Sequence, residues 1–163
     1  MLEVFHGVFK LTKSPVSSAL MQWAGRTHVL MAVTHAIPEL HSNPAVGVLF
    51  LAWAITEVIR YPTYALSEDC PRWLTWLRYN IFIPMYPIGF LSEMKLMFDG
   101  LSIMRTEQLY TVTMPNIYNF AFDYPTFIVG LLLAYPLFGY SLYVYMLAQR
   151  KKKLAPGEAK KKD

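Results

Sequence analysis

Two side chains that can exchange protons lie in one apolar stretch of the chain. Tyr86 carries a phenol and Glu93 carries a carboxylate, at positions i and i+7. A helix turns about 100° per residue, so this spacing places both groups on nearly the same face. A carboxylate and a phenol can divide the roles of general base and general acid. The pair is therefore the first candidate for catalysis.

Two further residues extend this polar stripe along the same helical face. Arg78 precedes Tyr86 by about two turns, and Gly89 lies between Tyr86 and Glu93. Because it has no side chain, Gly89 leaves room for a ligand to approach the backbone. The stripe thus combines a cation, two proton-exchanging groups and space for a ligand.

The elements that position these groups are predicted to be membrane-spanning helices. Of the 163 residues, 55% are hydrophobic and 16% are charged, whereas about a quarter of the residues in soluble domains are charged. The uncharged run 124–149 exceeds the roughly 20 residues that cross a bilayer core. Loop residues delimit three more full spans, near 16–38, 46–64 and 73–98, and an N-terminal partial span at 1–11. We therefore predict an all-α, polytopic transmembrane helical bundle.

The charge distribution predicts the domain organisation and the orientation of the bundle. Residues 1–149 form the transmembrane domain, and residues 150–163 form a basic tail that is expected in the cytosol. Alternating spans then place the loop 99–123 in the lumen and Arg78 near the cytosolic face. The net charge of +4 belongs largely to the tail, so no nucleic-acid partner is expected.

This orientation gathers several polar residues in the cytosolic half of the bilayer. They are Arg26, Glu57, Arg60, Arg78 and Tyr86. At 1.5 Å of rise per residue, Glu93 lies about 10 Å deeper than Tyr86. The pattern predicts a polar pocket that opens to the cytosol, with Glu93 toward its floor and a wholly apolar last helix lining the rest.

Purely structural roles remain open for some of these residues. Glu57, Arg60 and Tyr61 are spaced i, i+3 and i+4, which places them on one side of the second full span. Glu57 can form an ion pair with Arg60 or Arg26 that only supports helix packing. Gln22, one turn before Arg26, can equally be an interhelical hydrogen-bonding group.

Short motifs distributed over essentially the whole chain form a specific set. They are the segments 2–7, 14–16, 56–61, 77–79, 86–89, 92–93, 114–116, 119–120 and 122–123, together with Gln22, Arg26 and Trp53. In this order they resemble the 3-hydroxyacyl-CoA dehydratases of very-long-chain fatty acid elongation, once called protein tyrosine phosphatase-like proteins. The resemblance implies that Tyr86 and Glu93 are the catalytic pair. It implies substrate-binding or supporting roles for Glu3, Gln22, Arg26, Glu57, Arg60, Tyr61, Arg78, Gly89 and Ser92.

The same resemblance implies a protein of six spans. This chain then begins near the middle of the second span, so roughly sixty further residues are expected before it in a complete member, at about 20 residues per span. Phosphatase chemistry is not expected despite the family's older name, because a cysteine phosphatase needs a thiolate followed by a phosphate-binding loop. Cys70 has no such context.

The implied reaction removes water from a 3-hydroxyacyl thioester. A base must take a proton from C2, and an acid must protonate the hydroxyl that leaves C3. We expect Glu93 to be the base and Tyr86 the acid, and the reverse assignment stays open. Because of their axial separation, a helix kink, side-chain reach or a water molecule must bring the two groups to adjacent carbons. Arg78, Arg60 and Arg26 are expected to hold the coenzyme A phosphates.

The expected partners are a long-chain 3-hydroxyacyl-CoA, the lipid bilayer and other membrane enzymes of the elongation cycle. No cofactor is expected, since coenzyme A is part of the substrate, and scattered histidines with a single cysteine indicate no metal site. Lys160 and Lys161 resemble the dilysine signal of endoplasmic reticulum membrane proteins, whereas the plainer interpretation is a tail that binds lipid headgroups. The alternative functions are a non-catalytic membrane scaffold for elongation or regulatory proteins, and a transporter.

Overall fold

A computed structural model describes residues 16–66, 69–117 and 119–155. In chain order its elements are α1 (Val16–Thr27), a π-helical segment (His28–Thr34), a 3-10 helix (Pro38–Ser42), α2 (Pro44–Leu66), α3 (Arg72–Thr106) and α4 (Tyr124–Lys153). The described ranges contain no β-strand, only an isolated antiparallel bridge between Val112 and Phe122 in the loop before α4. The predicted all-α class is confirmed.

Three helices are long and apolar enough to cross a membrane, namely α2, α3 and α4. They correspond to three of the four predicted full spans. The first predicted span, 16–38, is helical through most of its length but is divided between α1 and the π-helical segment, so its crossing of the membrane stays a prediction. Large apolar side chains such as Leu133 and Leu137 are 75% and 72% exposed, as expected for residues that face lipid.

Helix α3 extends further than its sequence pattern predicted. The predicted span ends near residue 98, whereas α3 continues through Asp99 to Thr106, so the loop starts later than expected. Buried Met104 packs in the core, and Lys95 pairs with Asp99 one turn along at 2.7 Å. Tertiary packing and an i, i+4 ion pair thus carry the helix past the polar residues that suggested its end.

Helix α3 lies at the centre of the bundle, between α2 and α4. It is antiparallel to α2. Arg78 near the start of α3 contacts Thr63 near the end of α2, whereas Asp99 in the later part of α3 contacts Asn43, the residue before α2. It is antiparallel to α4 as well, through the pairs Asn80 with Arg150, Tyr86 with Gly139 and Glu93 with Tyr135. Arg78, Tyr86 and Glu93 on α3 therefore each contact a neighbouring helix.

The hydrophobic core occupies one end of the bundle. Its buried residues come from the π-helical segment, the 3-10 helix and the residue before it, the start of α2, the second half of α3 and the start of α4: Val29, Val33, Ile37, Leu40, Ala45, Leu49, Leu96, Met97, Met104, Tyr124 and Ile128. At this end the first turn of α4 is capped by Asp123, which accepts hydrogen bonds from the hydroxyl and amide of Thr126. These bonds hold the pKa of the Asp123 carboxyl below its usual value. The opposite half of the bundle contains a cavity.

Candidate active site

A cavity of about 740 Å³ lies between α1, α2, α3 and α4. It brings together most of the residues that the sequence predicted for the site: Gln22, Arg26, Arg60, Arg78, Tyr86, Gly89 and Glu93. Its remaining lining is largely aromatic and aliphatic. The cavity therefore combines an apolar wall with a few converging polar groups, which is the usual composition of a ligand site.

Tyr86 reaches the cavity from the middle of α3. Its hydroxyl donates a hydrogen bond to the carbonyl oxygen of Gly139 on α4, at 3.1 Å. Its ring stacks on Phe90, with centroids 6.0 Å apart, and on Tyr143, with centroids 5.7 Å apart. The phenol is thus held between α3 and α4 with its oxygen at a defined place.

Glu93 lies two turns further along α3 and lines the same cavity. Its Oε2 accepts a hydrogen bond from the hydroxyl of Tyr135 on α4, at 2.6 Å. Arg26 interacts electrostatically with the carboxylate, and Trp53 of α2 lines the same cavity close to it. Helices α1, α2 and α4 therefore all contribute a group to the surroundings of Glu93.

Both proton-exchanging groups face one cavity, as their i, i+7 spacing predicted. They are close enough to interact electrostatically. The ring of Phe90 is stacked between those of Tyr86 and Tyr135, with interplanar angles of 17° and 21°. An aromatic stack therefore links the phenol of α3 to the hydroxyl that holds the carboxylate.

An ion-pair cluster joins α1 to α2 beside this pair. Glu57 accepts from Nη1 of Arg26 at 2.6 Å, and Nη2 of Arg60 contacts both of its oxygens, at 2.7 and 2.9 Å. The guanidinium of Arg26 also lies over the ring of Trp53, 5.2 Å from its centre. The ion pair that the sequence left open is formed with both arginines, and the cluster retains a net positive charge.

Arg78 lies at the end of the cavity furthest from Glu93. Its Nη1 donates to the hydroxyl of Thr63 at 2.7 Å, and its guanidinium is 4.4 Å from the ring centre of Tyr64. Among the residues that the structure describes, no carboxylate forms an ion pair with it. Its positive charge is therefore available to an anionic group at this end.

Some predicted residues do not line the cavity. Tyr61 is 58% exposed and follows Arg60 by one position, which rotates it by about 100° from the cavity side of α2. Ser92 is buried, but its hydroxyl donates to the carbonyl of Ile88 in its own helix, at 2.8 Å. Glu57 lies behind the lining and acts on it through its arginines. Glu3 lies outside the described residues.

Sequence reasoning missed the contribution of α4. The predicted wholly apolar wall is wrong, because Tyr135 places its hydroxyl on Glu93 and Gly139 offers its carbonyl to Tyr86. Tyr135, Gly139 and Tyr143 recur at intervals of four residues, which puts them on one side of α4. That spacing was a usable signal.

The deep end of the cavity carries a second polar contact that the sequence did not suggest. The hydroxyl of Tyr124 and Nε2 of His28 are 2.9 Å apart. Within 16–66, 69–117 and 119–155, no group of three or more His, Cys, Asp or Glu side chains is placed to hold a metal ion. The expectation that no metal is needed stays a prediction.

The arrangement is suited to proton transfer on an amphipathic ligand. A phenol and a carboxylate face an apolar cavity that limits competing reactions with water. Arg78 at one end can bind an anionic head group by charge-assisted hydrogen bonds. The aromatic and aliphatic remainder can bind an apolar tail.

Comparison with known proteins gives a consistent result. The sequence model of one family, described as protein tyrosine phosphatase-like protein, PTPLA, matches residues 1–156. Very-long-chain (3R)-3-hydroxyacyl-CoA dehydratase PASTICCINO 2B of Oryza sativa subsp. japonica is 39% identical over 161 residues, which cover 97% of this chain and 73% of the rice protein.

Relatives from other organisms show similar coverage. PASTICCINO 2 of Arabidopsis thaliana, also named a very-long-chain (3R)-3-hydroxyacyl-CoA dehydratase, is 38% identical over 94% of this chain and 71% of its own length. Very-long-chain (3R)-3-hydroxyacyl-CoA dehydratase 2 of Mus musculus is 37% identical over 99% of this chain and 65% of its own length. No solved structure matches significantly.

Proposed function

Since this chain belongs to the protein tyrosine phosphatase-like family, PTPLA, we propose that it is a very-long-chain (3R)-3-hydroxyacyl-CoA dehydratase. It would act as a hydro-lyase that converts a 3-hydroxyacyl-CoA to a trans-2-enoyl-CoA in fatty acid elongation. The observation that carries the proposal is the joint placement of Tyr86 and Glu93 on one apolar cavity, with Arg78 at its far end and Arg26 and Arg60 beside the pair. The relatives' names supply the reaction class.

The proposed reaction begins at the carboxylate. Glu93 takes the proton from C2, and the electron pair of that C–H bond forms the C2=C3 double bond. The C3–O bond breaks as the departing hydroxyl takes the proton of Tyr86, so that water is released. The proton on Glu93 then passes to the Tyr86 phenolate through the water just released, which restores both groups.

Two contacts favour this assignment of roles. A hydrogen bond donated to a carboxylate stabilises its ionised form, and Glu93 accepts one from Tyr135. The hydroxyl of Tyr86 already acts as a donor, toward Gly139, and rotation about its C–O bond can redirect it to a substrate oxygen. We therefore assign Glu93 as the proposed base and Tyr86 as the proposed acid.

The coenzyme A group would lie at the arginine end of the cavity. Arg78 has its charge available there, and Arg60 and Arg26 add to the positive potential although Glu57 shares them. Planar guanidinium groups suit phosphate oxygens. The acyl chain would continue past Glu93 toward Phe127 and Leu131 on α4, which line the deep end.

The catalytic proposal is tested with Tyr86→Phe and Glu93→Gln in the purified protein. Each change removes one proton-exchanging group while it keeps nearly the same shape. We expect the rate of enoyl-CoA formation from a long-chain (3R)-3-hydroxyacyl-CoA to fall by about 10²- to 10⁴-fold in each variant. The product is quantified by mass spectrometry.

Matched controls use the same chemical changes outside the cavity. Tyr140→Phe alters a side chain of α4 that is 72% exposed, and Glu107→Gln alters an exposed residue after α3. Both should keep normal activity. Normal turnover by both cavity variants would overturn the proposal and favour a non-catalytic scaffold.

The location and partners of the enzyme belong to the same proposal. We expect it to reside in the endoplasmic reticulum membrane. Its C-terminus is expected in the cytosol, because helix α4 ends in four basic residues at positions 150–153. The reaction as written needs no cofactor. Its apolar substrate and product favour exchange with other membrane enzymes of the elongation cycle.

A further inference from the structure

The hydroxyl of Tyr135 is the closest group to the carboxylate of Glu93 among the hydrogen bonds described. The O–O distance of 2.6 Å lies in the range of a charge-assisted hydrogen bond between a hydroxyl and a carboxylate. The two residues come from different helices, α4 and α3. The contact therefore fixes Glu93 relative to the opposite wall of the cavity.

The ring of Tyr135 is itself held in place. It stacks on Phe90 with centroids 5.1 Å apart, and Phe90 stacks in turn on Tyr86. Phe90 occupies space that only a glycine at position 139 leaves open, because a Cβ there would lie 2.6 Å from its Cζ atom. A movement of Tyr135 is thus opposed by the same stack that positions Tyr86.

Other groups near Glu93 act differently. Arg26 is engaged at 2.6 Å with Glu57, so its effect on Glu93 is mainly through its charge. Trp53 adds an indole that can only donate. Tyr86 is on the same helix and donates to Gly139. Tyr135 alone among these combines a direct short bond to Oε2 with a ring packed against the catalytic region.

We propose that Tyr135 is a positioning residue that holds the Glu93 carboxylate by its Oε2 atom, in the orientation that takes the proton from C2. This inference rests on the proposed dehydratase function. A glutamate has several rotatable bonds, and a base displaced by about 1 Å loses much of its effectiveness. A carboxylate offers about four lone-pair sites, so the bond to Tyr135 leaves sites for a substrate proton.

The test is Tyr135→Phe, which removes the hydroxyl and keeps the stacking ring. We expect kcat for a long-chain (3R)-3-hydroxyacyl-CoA to fall by about 10- to 100-fold, the equivalent of one hydrogen bond to a charged group. KM should change less than threefold, because Tyr135 orients the base and leaves the head-group contacts intact. Tyr140→Phe, on the same helix, is the control that should behave as the parent protein.

A second background separates positioning from a structural role. Glu93→Asp keeps the carboxylate but withdraws it by one methylene from Tyr135. In that background Tyr135→Phe should lower kcat less than threefold, because the bond it removes is already lost. An equal loss in both backgrounds would overturn the inference, as would a Tyr135→Phe variant with unchanged kcat or with losses seen only in KM and thermal stability.

The outcomes distinguish this inference from the proposed function. If Glu93→Gln abolishes turnover while Tyr135→Phe leaves kcat unchanged, the dehydratase assignment stands and the positioning role is wrong. If Glu93→Gln retains full turnover, the assignment of the base fails, and the positioning role fails with it.

Discussion

Polar residues of the cavity are held by specific hydrogen-bond and ion-pair partners, and the partner decides what each can do. Arg60 and Arg26 share the carboxylate of Glu57, so part of their positive charge is neutralised by that carboxylate. Arg78 bonds to the neutral hydroxyl of Thr63. Three arginines of similar predicted role thus differ in the charge that they can offer to a ligand.

Arg78 is predicted to contribute most to binding of the coenzyme A phosphates. Arg78→Ala should raise KM for a 3-hydroxyacyl-CoA by about tenfold or more, since a hydrogen bond to a charged group is lost. KM for the N-acetylcysteamine thioester of the same acid should be unchanged, because that substrate has no phosphate. Steady-state kinetics with both substrates measures the difference. Arg72→Ala, at the exposed start of α3, is the control.

Glu57 is predicted to act mainly on stability. Glu57→Gln removes the charge that both arginines share, and we expect the unfolding free energy to fall by about 2 kcal/mol. Thermal unfolding in detergent measures the effect. Lys95→Ala breaks a more exposed pair, in which the lysine side chain is 56% accessible, and should cost less than about 1 kcal/mol. A larger loss for Lys95→Ala than for Glu57→Gln would contradict this ranking.

Helices α3 and α4 meet through a combination of one small and several aromatic residues. Gly139 allows Phe90 to approach the backbone of α4, and its carbonyl accepts the hydrogen bond of Tyr86. A large residue on one helix packed against a glycine on the other allows close approach of two membrane helices. This contact, rather than either helix separately, sets the position of the phenol.

Gly139→Ala is predicted to disturb catalysis through this contact. The new methyl group would displace Phe90, and overpacking of this kind typically costs about 1–3 kcal/mol. We expect kcat to fall by about tenfold as Tyr86 and Tyr135 shift with the stack. Gly130→Ala on the same helix has no atom within 4 Å of the added Cβ and serves as the control. Equal activity of the two variants would show that the stack tolerates displacement.

The bundle as a whole separates stability from chemistry along its length. Buried aliphatic and methionine side chains fill the end where α2 and α4 begin and α3 finishes. The cavity and its arginines occupy the other end, toward which α4 extends its basic last turn. Substitutions of buried residues in the packed end should thus affect folding first, whereas those of polar residues that line the cavity should affect turnover.

The orientation of the bundle gives a prediction that does not depend on catalysis. A C-terminal epitope tag should be cleaved by protease added outside sealed endoplasmic reticulum vesicles, because the basic tail is expected in the cytosol. Immunoblotting before and after detergent measures its accessibility. Protection of the tag without detergent would reverse the orientation.

Lys160→Ser with Lys161→Ser should release the protein from the endoplasmic reticulum if the dilysine interpretation is correct.

Local helical geometry was sufficient for much of the site. The i, i+7 relation of Tyr86 and Glu93 put both on one cavity, and Gln22, Arg26, Arg60, Arg78 and Gly89 line it as well. The shared side of Arg78, Tyr86, Gly89 and Glu93 depends on the regular rotation of one helix. The placement of Gln22, Arg26 and Arg60 depended instead on the predicted membrane orientation and on the family resemblance. Tyr61, predicted on the same side of α2 as Arg60, lies off the cavity lining because adjacent helical side chains differ by about 100° in direction.

Contacts between distant segments could not be inferred in this way. Tyr135 donates a hydrogen bond to Glu93, and Phe90 packs against Gly139, although the residues of each pair are far apart in the chain. The extension of α3 to Thr106 depends on packing against such distant neighbours. The helical period gives the direction in which a side chain points around the axis of its own helix. The relative rotation and depth of two helices are set by how their side chains interlock, so the partner of each polar group emerges only when the helices pack.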